Sequence, residues 1–227
     1  MINLHPYNIT LTNFVEGALP STEALLVSAH CDMCKSCREK TRIITDSTAS
    51  DVFGGELVSA SIQREYVSMF ELITHDSTLL DASLTYEKNS SIEFEGKVFM
   101  LPATLARFAD RVGEWSYMIG KLWQAPVDIG GGSLAQFVYM EKGASVPEHT
   151  HKGNELTLVI NGKFADGIKH YHSGDFIALN HEHTHTPVST EGCLRFNILD
   201  KHLQFTSGWA KLVNSLSQLY FKANTNT

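Results

Sequence analysis

Long apolar runs are missing from this sequence. Nothing in its 227 residues approaches the ~18 consecutive apolar positions that a membrane-spanning helix needs, so no such helix is expected. Lysine and arginine are missing from the first 34 positions, Lys35 being the first basic residue, so the charged n-region of a signal peptide is lacking. A soluble cytoplasmic chain is therefore expected. Six prolines and sixteen glycines are too few for a collagen-like or low-complexity chain. What is present, 43% apolar and 19% charged residues, suffices for a packed core. At roughly 100–200 residues per domain, the length fits one large domain or two small ones.

Bases are in deficit, with eighteen against twenty-five acids and a net charge of −7. Residues 1–90 carry twelve acids and six bases, whereas residues 91–227 carry thirteen and twelve. An acidic first part does not suit the phosphates of nucleic acid, so no direct nucleic-acid partner is expected. It suits a basic protein partner, whose opposite potential steers encounter; simple solubility is the alternative. Cysteine is scarce, and three of the four fall at Cys31, Cys34 and Cys37. Seven of the eleven histidines fall between His149 and His185. Such bunching reads as metal or redox chemistry rather than a disulfide framework. Cys193 stands alone and reads as a small buried apolar residue.

Apolar spacing predicts helices over Leu11–Leu19 and Thr22–His30, a third turn-rich or helical piece over Cys34–Thr45, and an amphipathic helix over Ile62–Ile73. The polar stretch Thr85–Ser91 reads as a linker. Beyond it come short β-type runs, among them Ser133–Met140, Leu156–Ile160, Asp175–Leu179 and Cys193–Leu199, punctuated by Gly143, Gly162, Gly174 and Gly192. Evenly spaced turn signals imply an antiparallel sandwich or barrel. Trp209–Phe221 returns to helical spacing. The expected class is α+β, with a small helical bundle over 1–88 and a β domain with a C-terminal helix over 89–227.

His30, Cys34 and Cys37 stand at i, i+4 and i+7, which on a helix puts them on one face. Three such ligands need one more for tetrahedral zinc, and His5 can fold back to supply it. Cys31 lies about 100° around the helix. It is left as a candidate for oxidation or ligand swapping. The alternative for Cys34-x-x-Cys37 is a redox pair, although no strand feeds it. A four-ligand site would stabilise a helical domain too small to fold alone.

The second constellation runs from Gly143 to Gly162. His149 and His151, two apart, face the same side of a strand, and Glu155 opens the next strand after a short turn. His181, His183 and His185 follow Gly174-Asp175 and supply a further imidazole. Three nitrogens and a carboxylate suit zinc, manganese or iron. The spacing G-x5-H-x-H-x3-E-x6-G resembles the first cupin motif at every defined position. The second motif matches at Gly174 and His185, while Asn180, Glu182 and Ser189 replace its proline, glycine and asparagine. His183 is the substitute ligand if the register differs; the His170 and His172 pair reads as a solvated strand edge.

A zinc-type H-x3-C-x2-C helical segment followed by a cupin jelly roll resembles the ChrR family of zinc-dependent anti-sigma factors. The likeness covers nearly the whole chain and includes His5, Leu101-Pro102 and the cupin residues His149, His151, Glu155 and His185. It implies an N-terminal domain that inhibits an extracytoplasmic-function sigma factor, with zinc at His5, His30, Cys34 and Cys37. It further implies a cupin that responds to singlet oxygen or related oxidants, freeing the sigma factor. Two other readings use the same residues. Three histidines and one glutamate also form the ligand set of cupin dioxygenases and decarboxylases, though no second acid or base stands out, Glu148 pointing away. The other is a small-molecule-binding cupin with a helical dimerisation arm.

Overall fold

The computed structural model describes residues 2–54, 60–75, 90–118, 120–130, 133–201 and 203–206. Helices come first: α1 Asn8–Val15, α2 Ser21–Met33, α3 Lys35–Phe53 and α4 Ala60–Thr74. The helix predicted to Leu19 ends earlier, because Gly17 adopts φ 69° and turns the chain after Val15. Pro20 then sits at the N-cap of α2, where its missing N–H disturbs no helical hydrogen bond. α3 runs well past Thr45. No helix among the described residues is long and apolar enough to cross a membrane.

Contacts divide the chain into two units, residues 1–42 with 89–227 in one and residues 43–88 in the other. In the second unit, α4 leaves its apolar side chains in solvent, Phe70 at 66% and Leu72 at 76% exposure.

In the first unit, α2 buries Leu26, Val27 and Ala29 completely and packs on the short helix α5 (Ala103–Ala106) and on the sheet. Ser28 Oγ lies 2.9 Å from Thr104 Oγ1, and Asp32 accepts the Thr104 N–H at 2.6 Å, satisfying an orphan donor at the start of α5. The strands are β1 Ser91–Phe94, β2 Lys97–Met100, β3 Ser116–Met118, β4 Leu122–Val127, β5 Leu134–Met140, β6 Ala144–Ser145, β7 His149–His151, β8 Glu155–Ala165, β9 His170–His172, β10 Phe176–Leu179, β11 Thr184–His185, β12 Val188–Ser189, β13 Cys193–Leu199 and β14 Leu203–Phe205. Every pairing is antiparallel. The large sheet runs β3-β4-β5-β13-β8-β12-β6, with β9 and β10 also on β8, and a smaller sheet runs β11-β7-β14. This is the helical segment followed by an antiparallel cupin that the sequence led us to expect.

β5 and β13 are buried along their whole length. Phe137 and Phe196 meet on one face, their ring centroids 5.0 Å apart and their planes inclined by 60°. Val138, Met140 and Cys193 point the other way, into a core shared with Leu122, Val159 and Ile177. β8 extends beyond the predicted Ile160, because Asn161-Gly162 forms no hairpin turn. The register with β13 skips one residue there, a β-bulge, and Gly162 has φ 81° with Gly192 O where a Cβ would stand. The C-terminal helix predicted over Trp209–Phe221 lies outside the described residues, as do positions 85–89 of the linker.

Candidate metal centres

The first centre gathers His5, which precedes α1, His30 from the last turn of α2, Cys34 between α2 and α3, and Cys37 in the first turn of α3. His5 Nδ1 stands 3.4 Å from Cys34 Sγ and 3.3 Å from Cys37 Sγ, and one donor atom from each of the four residues lies within 4.8 Å of the others. Sequence spacing puts His30 at the end of one helix and Cys34 at the start of the next piece; in the structure α2 runs on to Met33 and α3 starts at Lys35. The helix breaks at Cys34, which is extended with φ −106° and ψ 100°.

His30 Nδ1 donates to Gly174 O at 2.8 Å. A carbonyl can only accept, so the proton is on Nδ1 and the lone pair is on Nε2. That Nε2 is buried and has no hydrogen-bond partner among the described residues. Burial pulls His30 down to about 4, and burial together with neighbouring Cys34 pushes the Cys37 thiol up to about 12. A buried imidazole lone pair, a second imidazole and two thiols form a donor set that a soft divalent cation fits, and the cation would supply the charge that lets the thiols ionise. Cys31 is buried outside this group, and burial pushes its thiol up to about 11.

The second centre lies in the barrel. His149 and His151 share one side of β7, and His185 pairs with His149 across β11. His185 Nε2 lies 2.9 Å from His149 Nε2 and 3.2 Å from His151 Nε2. His149 Nδ1 donates to Pro147 O at 2.9 Å, which leaves its Nε2 unprotonated. Burial and the neighbouring His185 take His149 down to about 3, and burial takes His185 to about 4. Three converging imidazoles of this kind fit a cation better than they fit one another. Glu155, at the start of β8, sits beside the cluster. Its Oε1 accepts from Asn197 Nδ2 at 2.6 Å and Thr157 Oγ1 at 2.8 Å, while Oε2 lies 3.0 Å from His151 Nδ1 without hydrogen-bond alignment. Its carboxyl is held below the usual range. Burial opposes that shift, and His151 and Arg195 outweigh burial. His183 is exposed, its Nδ1 2.8 Å from Asn180 Oδ1, and His170 and His172 belong to neither group. Glu148 is also exposed and accepts from Thr206 Oγ1 at 2.8 Å.

Over 217 residues the chain is 30% identical to the anti-sigma-E factor ChrR of Cereibacter sphaeroides, spanning 93% of this chain and 96% of that protein. The chain belongs to the ChrR family of anti-sigma factors. Residues 105–203 match the family profile described as a ChrR cupin-like domain. The crystal structure of Rhodobacter sphaeroides SigE in complex with the anti-sigma ChrR is similar with a TM-score of 0.63 at 25% identity, covering 88% of this chain and 100% of that one.

In this ChrR-family chain, the turn between β9 and β10 reaches the first centre. Asp175, fully buried, accepts from Asn3 N at 2.6 Å, Leu4 N at 3.0 Å and His172 N at 2.8 Å. Phe176 N donates to Leu4 O at 3.0 Å, and Gly174, with φ 90°, leaves room for the Ile2 side chain. The strap that delivers His5 is therefore laid on the same turn whose carbonyl sets the His30 tautomer. Sequence reasoning read Gly174 as a cupin-motif glycine and Asp175 as a strand opener. Their contacts span more than 140 residues, and no local spacing encodes them. Asp175→Ala strands three backbone donors, two of them on the strap. The expected loss is about 3–5 kcal/mol in urea unfolding, with faster amide exchange at Asn3 and Leu4.

Proposed function

We propose that this chain holds an extracytoplasmic-function sigma factor inactive in the cytoplasm through residues 1–88. It frees that factor when the cupin of residues 89–227 meets an oxidative signal such as singlet oxygen. The observation that carries this reading is the bare apolar face of α4. Tyr66, Met69, Phe70 and Ile73, at helical spacing, are all more than half exposed. A stripe of this kind, on an acidic chain of a family with a member crystallised around SigE, fits an apolar groove on a basic partner.

In this reading zinc is held by His5, His30, Cys34 and Cys37. A second zinc, or manganese or iron, is held by His149, His151 and His185, with Glu155 as the fourth ligand. A bound metal ties the strap, α2 and α3 together at one point. The chain's own part is to keep both imidazole tautomers fixed through the Gly174 and Pro147 carbonyls. Family membership favours a regulator over a cupin dioxygenase or decarboxylase.

The test is Phe70→Asp in the full chain, measured by affinity for the sigma factor and by transcription inhibition. A charge placed in the centre of an apolar contact should weaken binding on the order of 100-fold, in the range of interface hot spots. Unchanged affinity sinks the reading.

A further inference from the structure

We propose that the barrel interior binds a small hydroxycarboxylate, with Arg195 gripping its carboxylate beside the imidazole cluster. This deepens the reading of the cupin as the sensing half and does not depend on sigma binding.

Strand periodicity sends Cys193, Arg195 and Asn197 of β13 to the same face, and Cys193 belongs to the interior core. In register, Val138 lies opposite Arg195, and Gln136 lies opposite Asn197. Arg195 is only 6% exposed, yet its guanidinium makes no hydrogen bond or ion pair among the described residues, and its Nε is sealed from solvent. Beyond the longer-range field of Glu155, its compensation is the Phe164 ring, 5.3 Å away. The ring engages the face of the guanidinium and leaves the edge N–H donors free.

Two more groups on these strands lack hydrogen-bond partners among the described residues. Asn197 gives its Nδ2 to Glu155 Oε1, which fixes the amide orientation and leaves Oδ1 as a buried acceptor without a donor. Gln136 Oε1 is likewise buried and unpartnered. A buried cation and two buried carbonyl acceptors, all unsatisfied on neighbouring strands, are costly to an empty fold. What satisfies all three is an anion that also carries a donor. A carboxylate matches the planar guanidinium fork, and a hydroxyl group answers the amide oxygens. Sulfate, which carries no proton at neutral pH, offers acceptors only and leaves both amides unpaired. The apolar walls of Val138 and Val159 keep the ligand small. Glu155 joins Asn197 to the histidines, since its Oε1 accepts from Asn197 Nδ2 and its Oε2 lies 3.0 Å from His151 Nδ1.

The experiment measures thermal unfolding and calorimetric binding of the full-length chain with glycolate, lactate, acetate and sulfate. Glycolate and lactate at about 100 times their Kd should raise the midpoint by about 5 °C or more. Acetate, lacking the hydroxyl, should bind about tenfold more weakly, and sulfate, lacking any donor, should not bind. Arg195→Met should raise the unliganded midpoint, because it removes an unpaired buried cation, and should abolish the response to glycolate. Gln136→Leu should narrow the gap between glycolate and acetate. Three results overturn the proposal. One is the absence of any response to the hydroxy acids in the wild type. Another is a glycolate response that survives in Arg195→Met. The third is an unliganded midpoint that falls in Arg195→Met, which would show the guanidinium to be paired in the folded chain.

Discussion

Cys37→Ser is expected to strip the first centre of metal and, with it, the chain's hold on its sigma factor. Structural zinc is worth roughly 10–16 kcal/mol in small zinc folds. One of four ligands then carries about 3 kcal/mol, or on the order of 100-fold in affinity. The hydroxyl of serine is harder than a thiolate and sits on a shorter bond, so it recovers little of this. The loss is transmitted because His5, His30, Cys34 and Cys37 come from four different places: the strap, α2, the break at Cys34, and α3. Without the common ion, the apolar contacts of α1 and α2 remain, while the start of α3 loses the point that fixes its direction. Competition against a chromophoric chelator reads the affinity, and a pull-down with the sigma factor reads the consequence. Cys31→Ser is the control. Cys31 is buried but contributes no donor to the group, so its variant should keep wild-type metal affinity. Wild-type affinity in Cys37→Ser would remove the thiolate from the site.

Local patterns foretold much of this. Period-two placement of His149 and His151, a following Glu155 and a distant His185 sufficed to expect a cupin interior, because strands expose alternate residues to one side regardless of the rest of the fold. The α4 stripe was equally readable from Tyr66, Met69, Phe70 and Ile73. What stayed hidden depends on tertiary placement. The break at Cys34, where the chain is extended and the donor atoms of His30 and Cys37 draw together, is announced by no helical propensity. The bulge beside Gly162 passed for a turn, since a glycine at positive φ serves either. Arg195 drew no notice in the sequence, because an arginine in a strand is ordinary until its burial is known. Asp175 was hidden for the same reason: its partners, Asn3 and Leu4, stand at the other end of the chain.

These placements also couple the two centres. Gly174 and Asp175 end the β9–β10 turn that holds the His5 strap and the His30 ring. The same stretch continues through β10 to Asn180, His183 and then His185 of the barrel cluster. Ten residues of chain thus separate the carbonyl that orients one centre from a candidate ligand of the other. Any displacement of β10 would therefore have a direct covalent path to the N-terminal site.

Acid should unfold the metal-stripped chain well above the pH at which ordinary carboxylates titrate. His30 and His185 are held near 4 and His149 near 3, below the usual 6.5, chiefly because burial disfavours their charged forms. Between about 4 and 6.5 the unfolded chain therefore binds protons that the folded chain refuses. Stability rises with pH across that window and is lost as pH falls through it. Every tenfold weakening of proton binding by the folded chain corresponds to about 1.4 kcal/mol. Because His149 and His185 repel each other once charged, the three do not add in full. A combined loss on the order of several kcal/mol is expected from pH 6.5 to 4. Glu155 acts lower still, its depressed carboxyl giving up its contribution only as pH drops below the usual carboxylate value. Bound metal moves the curve in the protective direction, since it holds the imidazoles deprotonated until protons outcompete it. The measurement is the urea midpoint of the chelator-treated and metal-loaded chain at half-unit steps from pH 7 to 4. A flat profile for the stripped chain between 6.5 and 4.5 would show that these imidazoles accept protons as readily folded as unfolded. The buried, lone-pair-inward arrangement at both centres would then be wrong.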